Sequence, residues 1–224
     1  GIETSFQKTS PKPSGRCACL IHGHERSLVA FLGAANDFCP DHLDSLKYEI
    51  GKARFLYITG FFYSVSPASL KRVFEIAGNA PARIIFNLSA TFVCDGMSES
   101  DFKDIMQNVN ILIGNSDELF HLNARQKIHQ DNSIEQIALK LTKSFPEVLI
   151  IITQGSEPVL LFQNGTLLLR FSVPVLPAEL IVDTNGAGDA FVGGLLAGFE
   201  RSQTKKKSLE LAAFMAAKVI QCSG

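Results

Sequence analysis

The sequence predicts an α/β fold: a doubly wound, mostly parallel sheet with helices on both faces, preceded by a small β element. Three observations carry the prediction. Short continuous apolar runs at residues 55–58, 83–88, 108–113 and 148–153 alternate with segments of helical spacing, as parallel strands buried on both faces do. An Asn164-Gly165 pair stands between the apolar stretches 159–162 and 166–171, a two-residue hairpin signal that adds antiparallel edge structure. Polar residues close the runs, namely Asn87, Ser89, Asn115, Thr153 and Asn185, at the strand ends where open α/β sheets bind ligands. Each of them is also an ordinary turn former.

Residues 16–21 and 27–32 read as two short strands around His22-Gly23-His24-Glu25, hence a hairpin. The two histidines suggest a metal site, against which stands the plainer reading of a solvated turn. Asp41 caps a helix running to about Lys52, with Leu43, Leu46 and Ile50 on one face. The strand at 55–58 leads into a Gly60-Phe61-Phe62 turn and then a helix over 67–77, with Pro67 in its first turn and Ser66 as its cap. Beyond the strands at 83–88 and 108–113, residues 118–126 and 133–144 read as helices, the second with Ile134, Ile137, Leu139 and Leu141 apolar. The strand at 148–153 ends in Gln154-Gly155, and the hairpin follows. A strand-like run at 180–182 then feeds a small-residue turn that opens a helix containing Gly193, Leu195 and Leu196. A last helix contains Phe214-Met215. No repeat beyond this alternation and no low-complexity linker divides the chain.

The 224 residues suit one α/β domain or two small ones, and with 46% hydrophobic and 19% charged residues the chain can bury a substantial core. A formal net charge of −1 gives no global attraction for nucleic acid or acidic membrane. Lys205-Lys206-Lys207, the only basic run, reads as a solvated loop before a helix. Five cysteines (Cys17, Cys19, Cys39, Cys94 and Cys222) are odd in number and widely spread, in a chain too large to need disulfide staples. Cys17 and Cys19 suit one face of a strand rather than a CxxC site. The cysteines read as reduced structural thiols in a cytosolic protein. The longest apolar runs, 148–152 and 195–199, are too short to span a bilayer, and no signal sequence is visible.

The most informative stretch is Asp183-Thr184-Asn185-Gly186-Ala187-Gly188-Asp189-Ala190-Phe191. Its glycines let the backbone turn sharply and leave N–H groups uncovered where a helix begins. Unpaired donors and the positive end of the helix dipole converge there, a natural seat for phosphate. Asp189, a carboxylate beside an anion site, makes sense if it must accept a proton. The Walker pattern is absent, since no lysine follows these glycines, and the dinucleotide fingerprint fails because position 191 is phenylalanine.

This stretch, with Gly193-Gly194 following, closely resembles the second signature of the ribokinase (PfkB) family of carbohydrate and nucleoside kinases. The resemblance implies a ribokinase-like fold in which Gly186, Ala187 and Gly188 form the anion hole over the transferring phosphoryl group and Asp189 is the base. Asn115-Ser116-Asp117-Glu118 resembles the family's NxxE pattern, which holds magnesium and triphosphate largely through water, so Glu118 would meet the metal through water. Thr153-Gln154-Gly155 resembles the family's nucleotide-side turn. ATP and Mg²⁺ are thus the implied cofactors, with Asn115, Glu118, Thr153, Gly155 and Asn185 on the nucleotide side.

Within the family the chain most resembles the members that phosphorylate adenosine. Residues 26–30, Gly60-Phe61-Phe62 with Val65-Ser66-Pro67, residues 87–92 and the Asn185 variant of the signature carry that likeness. It implies that Leu28, Ala30, Leu32, Phe61 and Phe92 wall the purine, although plain core packing is the alternative for each. Arg26 would stabilise charge on the phosphoryl group in flight, with an exposed hairpin arginine as the alternative. ATP and adenosine would lie end to end across the carboxyl edge of the sheet, giving AMP and ADP in purine salvage. The protein is then expected to be a monomeric, cytoplasmic or also nuclear enzyme with a small-molecule substrate and neither nucleic acid nor membrane as partner.

The chain departs from the family in places. Members carry an N-terminal portion that supplies the first strand, lid strands, a carboxylate for the ribose and a glycine pair, and none of these has a counterpart before Gly1. The expectation is one partial kinase domain over residues 1–224, with 1–33 holding part of a β lid and the chain ending at Gly224 just past the last helix. His24-Glu25 and Phe214-Met215 replace residue types usual in the family, the latter near the adenine of ATP. Two alternatives stay open. One is a related kinase with another nucleoside or sugar acceptor, which the phenylalanines disfavour. The other is a truncated, catalytically silent product that binds only nucleotide or a partner.

Overall fold

The computed structural model describes residues 2–8, 12–22, 25–78, 80–130 and 133–222, with the side chains of residues 21, 22 and 25–27 outside that description. The chain forms two compact units, Gly1–Val109 and Asn110–Gly224.

The first unit begins with the expected hairpin, strands β1 (Arg16–His22) and β2 (Glu25–Phe31). Their antiparallel register sets Cys17 opposite Ala30 and Cys19 opposite Leu28. Alternation then puts these four on one face and Ala18, Leu20, Val29 and Phe31 on the other. The helix expected over 41–52 is instead two, α1 (Pro40–Asp44) and α2 (Lys47–Lys52), and Cys39, not Asp41, stands at the N-cap position with Pro40 first in the helix. The break has a local cause. The Ser45 hydroxyl donates to the His42 carbonyl at 2.7 Å, a side-chain bond that competes with helix continuation, and Leu46 is non-helical at φ −106° and ψ 7°.

Strands β3 (Phe55–Thr59) and β4 (Arg83–Asn87) pair in parallel, from Phe55 beside Arg83 to Thr59 beside Asn87. The Gly60-Phe61-Phe62 turn proves to be a helix, α3 (Gly60–Val65), because the Thr59 hydroxyl accepts the Phe62 N–H and caps it. Helix α4 (Pro67–Ala77) matches its expected bounds, with the Ser66 hydroxyl accepting the Ser69 N–H. Two helices, α5 (Thr91–Gly96) and α6 (Glu99–Asn108), occupy a stretch to which the sequence reading assigns no element. The next strand accordingly starts later than expected. Asp101 in α6 accepts from Ser98 and Tyr63 and pairs with Lys71, joining α3, α4 and α6. Burial pushes its carboxyl up, but these partners outweigh burial and hold it below the ordinary carboxylate range.

In the second unit, β5 (Ile111–Asn115) and β6 (Leu149–Gln154) are parallel, joined through α7 (Ser116–Gln126) and α8 (Ile134–Ser144). Strands β7 (Glu157–Gln163) and β8 (Thr166–Phe171) extend the pairing antiparallel. Between them Asn164 and Gly165 both take positive φ, 50° and 66°, as a two-residue hairpin turn requires. Ile150, Ile151 and Ile152 are fully buried, as the continuous apolar run implies. The run at 180–182 is not a strand. A 3-10 turn covers Ala178–Leu180, and the N–H groups of Val182 and Asp183 both donate to the Ile220 carbonyl, at 2.8 and 3.2 Å, rather than to a sheet.

Helices α9 (Ala187–Glu200) and α10 (Lys205–Val219) complete the unit. They cross closely, and a Cβ at Gly194 would lie 2.7 Å from the Ala212 Cα. Lys205, Lys206 and Lys207 are exposed, but they form the first turn of α10 behind the Thr204 cap rather than a preceding loop. None of the five cysteines is in a disulfide, and of the five only Cys94 is buried. Among the described residues no helix is long and apolar enough to cross a membrane.

Candidate functional site

The start of α9 differs from the other long helices. The N-cap positions of α4, α6, α7, α8 and α10 each carry a side chain that accepts a first-turn N–H. At α9 that position is Gly186, which has no side chain to offer and sits at φ 74° and ψ −1°. Only glycine adopts this left-handed conformation without strain. The Asp183 carboxylate accepts the Asn185 N–H at 2.8 Å, folding the approach to the turn. The amides at the N-terminus of an α-helix have no intrahelical acceptor, and Gly188 and Asp189 in this first turn are exposed. A Cβ added at Gly188 would meet nothing beyond its chain neighbours and its own helix backbone within 4 Å. The Ala187 N–H donates to the Thr184 carbonyl at 3.4 Å, so the turn offers the next amides of the first turn, an open approach and the positive end of a helix dipole, with the Asp189 carboxylate on the same turn.

At the carboxyl ends of β5 and β6, Asn115 lies beside Thr153 in the strand register. The Thr153 hydroxyl donates to the Gly114 carbonyl at 3.5 Å, and Gly155 turns the chain at φ 63°. The NxxE stretch is a capping box. Asn115 Oδ1 accepts the Glu118 N–H at 2.8 Å, and the Glu118 carboxylate accepts both the Asn115 N–H and the Asn115 Nδ2, each at 3.0 Å. Glu118 is only 6% exposed. Burial pushes its carboxyl above the ordinary range, the Asn115 N–H pulls it down, and the neighbouring Asp117 charge raises it again, leaving it raised.

A pH dependence follows from that sign. Between the ordinary carboxylate pKa and the raised one, the folded chain holds a proton that the unfolded chain has lost. Glu118 therefore makes stability fall as pH rises through that window, and its contribution is flat above it. Thermal midpoints of the Glu118→Gln variant, less those of the wild type, are expected to climb through this window and then level, apart from a constant offset. Parallel pH curves for the two proteins would contradict the assignment.

The residues expected to wall a purine are not in the core. Leu28, Leu32, Phe61 and Phe92 are 56, 42, 49 and 60% exposed, and Ala30 is exposed as well. Leu28 and Ala30 share a hairpin face, and the Phe61 and Phe92 rings lie 6.0 Å apart at 37°. Their pairing was not legible in the sequence, since Phe61 lies in the unexpected α3 and Phe92 in the unexpected α5. Arg26 lies in β2, but its side chain falls outside the described residues, as do that of His22 and all of His24. Among the described residues no group of three or more His, Cys, Asp or Glu is placed to hold a metal ion. Phe214 and Met215 are exposed on α10, with the Lys218 ammonium 5.6 Å from the centre of the Phe214 ring.

The family model described as pfkB family carbohydrate kinase matches residues 1–224. The chain belongs to the pfkB family of carbohydrate kinases. Its sequence is 34% identical to adenosine kinase 2 of Arabidopsis thaliana, over all of this chain and 66% of that protein. It is 36% identical to adenosine kinase of Saccharomyces cerevisiae, over 99% of this chain and 65% of that protein. Among solved structures it resembles Anopheles gambiae adenosine kinase in complex with P1,P4-di(adenosine-5) tetraphosphate, with a TM-score of 0.89 and 36% identity over 98% of this chain and 66% of that one. The fold is thus the mixed α/β, mainly parallel class that the alternation of apolar runs and helices predicts. The chain spans about two thirds of the length of these relatives.

Proposed function

We propose that this chain forms the greater part of an adenosine kinase, which transfers the γ-phosphate of ATP to the 5′-hydroxyl of adenosine and yields AMP and ADP. The observation that carries the reading is the uncapped start of α9, with Gly186 at φ 74° and Asp189 exposed in the first turn. The Asp189 carboxylate takes the proton of the 5′-hydroxyl as its oxygen bonds to the γ-phosphorus, and the bond from that phosphorus to the bridging oxygen of ADP breaks. The amides of Gly186, Ala187 and Gly188 receive the phosphoryl oxygens, and the Arg26 guanidinium adds positive charge. Alignment and charge stabilisation carry most of the rate in such a transfer. Asn115, Thr153, Gly155 and Asn185 serve the nucleotide side, while Leu28, Ala30, Leu32, Phe61 and Phe92 hold the purine.

Magnesium, when bound with ATP, neutralises charge on its phosphates. Both Glu118 oxygens already accept hydrogen bonds from Asn115, so the carboxylate fits the ion through water rather than as a direct ligand. We further place the enzyme in the cytoplasm as a monomer. The relatives named adenosine kinase support adenosine as acceptor, and so does the exposure of the apolar wall.

The test is ADP formation across a panel of nucleosides and sugars, measured on this chain and on the protein at full length. Adenosine is expected to be the preferred acceptor. Preference for a sugar, or equal turnover of all acceptors, would overturn the assignment.

A further inference from the structure

Four non-glycine residues have positive φ among those described: Ser89, Lys127, Asn164 and Ser202. Three have ordinary reasons. Lys127 ends α7, Asn164 forms the β7–β8 turn, and Ser202 follows the last turn of α9. Ser89, at φ 69°, stands between β4 and α5, where no helix ends and no hairpin turns. A serine held there is strained, and such strain persists only where the surroundings over-determine it.

Those surroundings are two strand-to-helix junctions joined through one hydroxyl. Ser89 Oγ accepts the Gly60 N–H at 3.0 Å and donates to the Asn87 carbonyl at 3.1 Å. The Ser89 N–H donates to Asn87 Oδ1 at 3.2 Å, and Asn87 Nδ2 donates to the Tyr57 hydroxyl at 2.8 Å, back on β3. Gly60 is the first residue of α3, so Ser89 caps that helix from the neighbouring strand while Thr59 caps it from its own. The approach is close enough that a Cβ at Gly60 would lie 2.3 Å from the Leu88 carbonyl oxygen. Phe61 follows Gly60 directly, and Phe92 follows Ser89 at the start of α5.

We infer that Ser89 is a positioning residue for the nucleoside, its hydroxyl fixing the gap between the Phe61 and Phe92 rings by tying the start of α3 to the end of β4. The inference rests on the purine-wall reading of those two rings. Ser89 itself touches no reacting atom. A looser gap weakens the hold on a flat base without altering how ATP binds or how the phosphoryl group moves.

The experiment is steady-state kinetics on the full-length protein. Ser89→Gly keeps the left-handed backbone and removes the hydroxyl. It is expected to raise the KM for adenosine about tenfold while the KM for ATP and kcat stay within about twofold, the pattern of binding lost equally from ground and transition states. In a Phe92→Ala background the same change is expected to add nothing. Ser89→Asn tolerates the left-handed region and offers an oxygen to the Gly60 N–H, and it is expected to keep the adenosine KM near wild type. A merely structural role would instead lower kcat through a reduced active fraction at unchanged KM, or add independently to Phe92→Ala, and either result overturns the inference. Should Phe92→Ala raise the adenosine KM while Ser89→Gly leaves it unchanged, the role of Ser89 fails alone. Should both leave it unchanged, the purine-wall reading fails with it.

Discussion

Replacing Asp189 by asparagine is expected to lower kcat by about 10²–10⁴-fold, the range typical of a lost general base, with ATP affinity and fold retained. The separation of effects follows from where Asp189 lies. It is exposed in the first turn of α9, and among the described residues its carboxylate makes no hydrogen bond or ion pair. The substitution therefore breaks no packing. It removes a favourable charge at a helix N-terminus, which costs about 0.3–1 kcal/mol. Asparagine has the shape of the carboxylate but cannot take up the hydroxyl proton. Single-turnover transfer from ATP to adenosine, with nucleotide affinity measured on the same sample, checks the prediction. Turnover equal to wild type would remove Asp189 from the mechanism.

Gly188→Ala is expected to move stability and activity in opposite directions. Alanine in place of a glycine inside a helix stabilises it by up to about 1 kcal/mol, and the added methyl meets nothing beyond its own chain neighbours and helix backbone within 4 Å. The fold has no reason to resist it. The open space it fills, however, adjoins the first-turn amides, which the proposed function assigns to the phosphoryl oxygens. Losing one such donor costs about 10²–10³-fold in kcat elsewhere, and a comparable loss is expected here together with a raised thermal midpoint. Activity within twofold of wild type would show that the phosphoryl group does not rest on this turn.

Much of this arrangement is legible in the sequence because local chemistry dictates it. Asn164-Gly165 specifies a turn in which both residues need positive φ, Ser66-Pro67 starts a helix whether or not anything packs on it, and the buried strands appear as unbroken apolar runs. Gly186 marks the sharp turn before α9 for the same reason, whereas Gly188 lies within the helix itself. The misreadings arise where a neighbour overrides the local pattern. Leu180, Ile181 and Val182 have strand-forming composition, but their N–H groups go to the carbonyls of Pro177, Ala178 and Ile220 rather than to a sheet. Ser45 breaks a helix whose apolar spacing is otherwise continuous. Helices α3 and α5, six residues each, are too short to show periodicity. Asn115 and Glu118 illustrate a different limit: a capping box and a nucleotide-binding pattern are spelled with the same letters, so the sequence alone does not separate the two, and the hydrogen bonds show the capping box. Ser89 could be placed at a strand end but not in the left-handed region, since serine alone gives no such signal.

The anchoring of the turn before α9 by Ile220 also bears on where this chain can be cut. Val182 and Asp183 are tied to the Ile220 carbonyl, and the Val219 side chain lies 3.5 Å from where a Gly186 Cβ would stand. The end of α10 is thus a strut under the loop that precedes Asp189, although nothing in its own sequence marks it as functional. A protease that trimmed the chain just before Val219 would leave every proposed catalytic residue in place and still untie the turn that aims them.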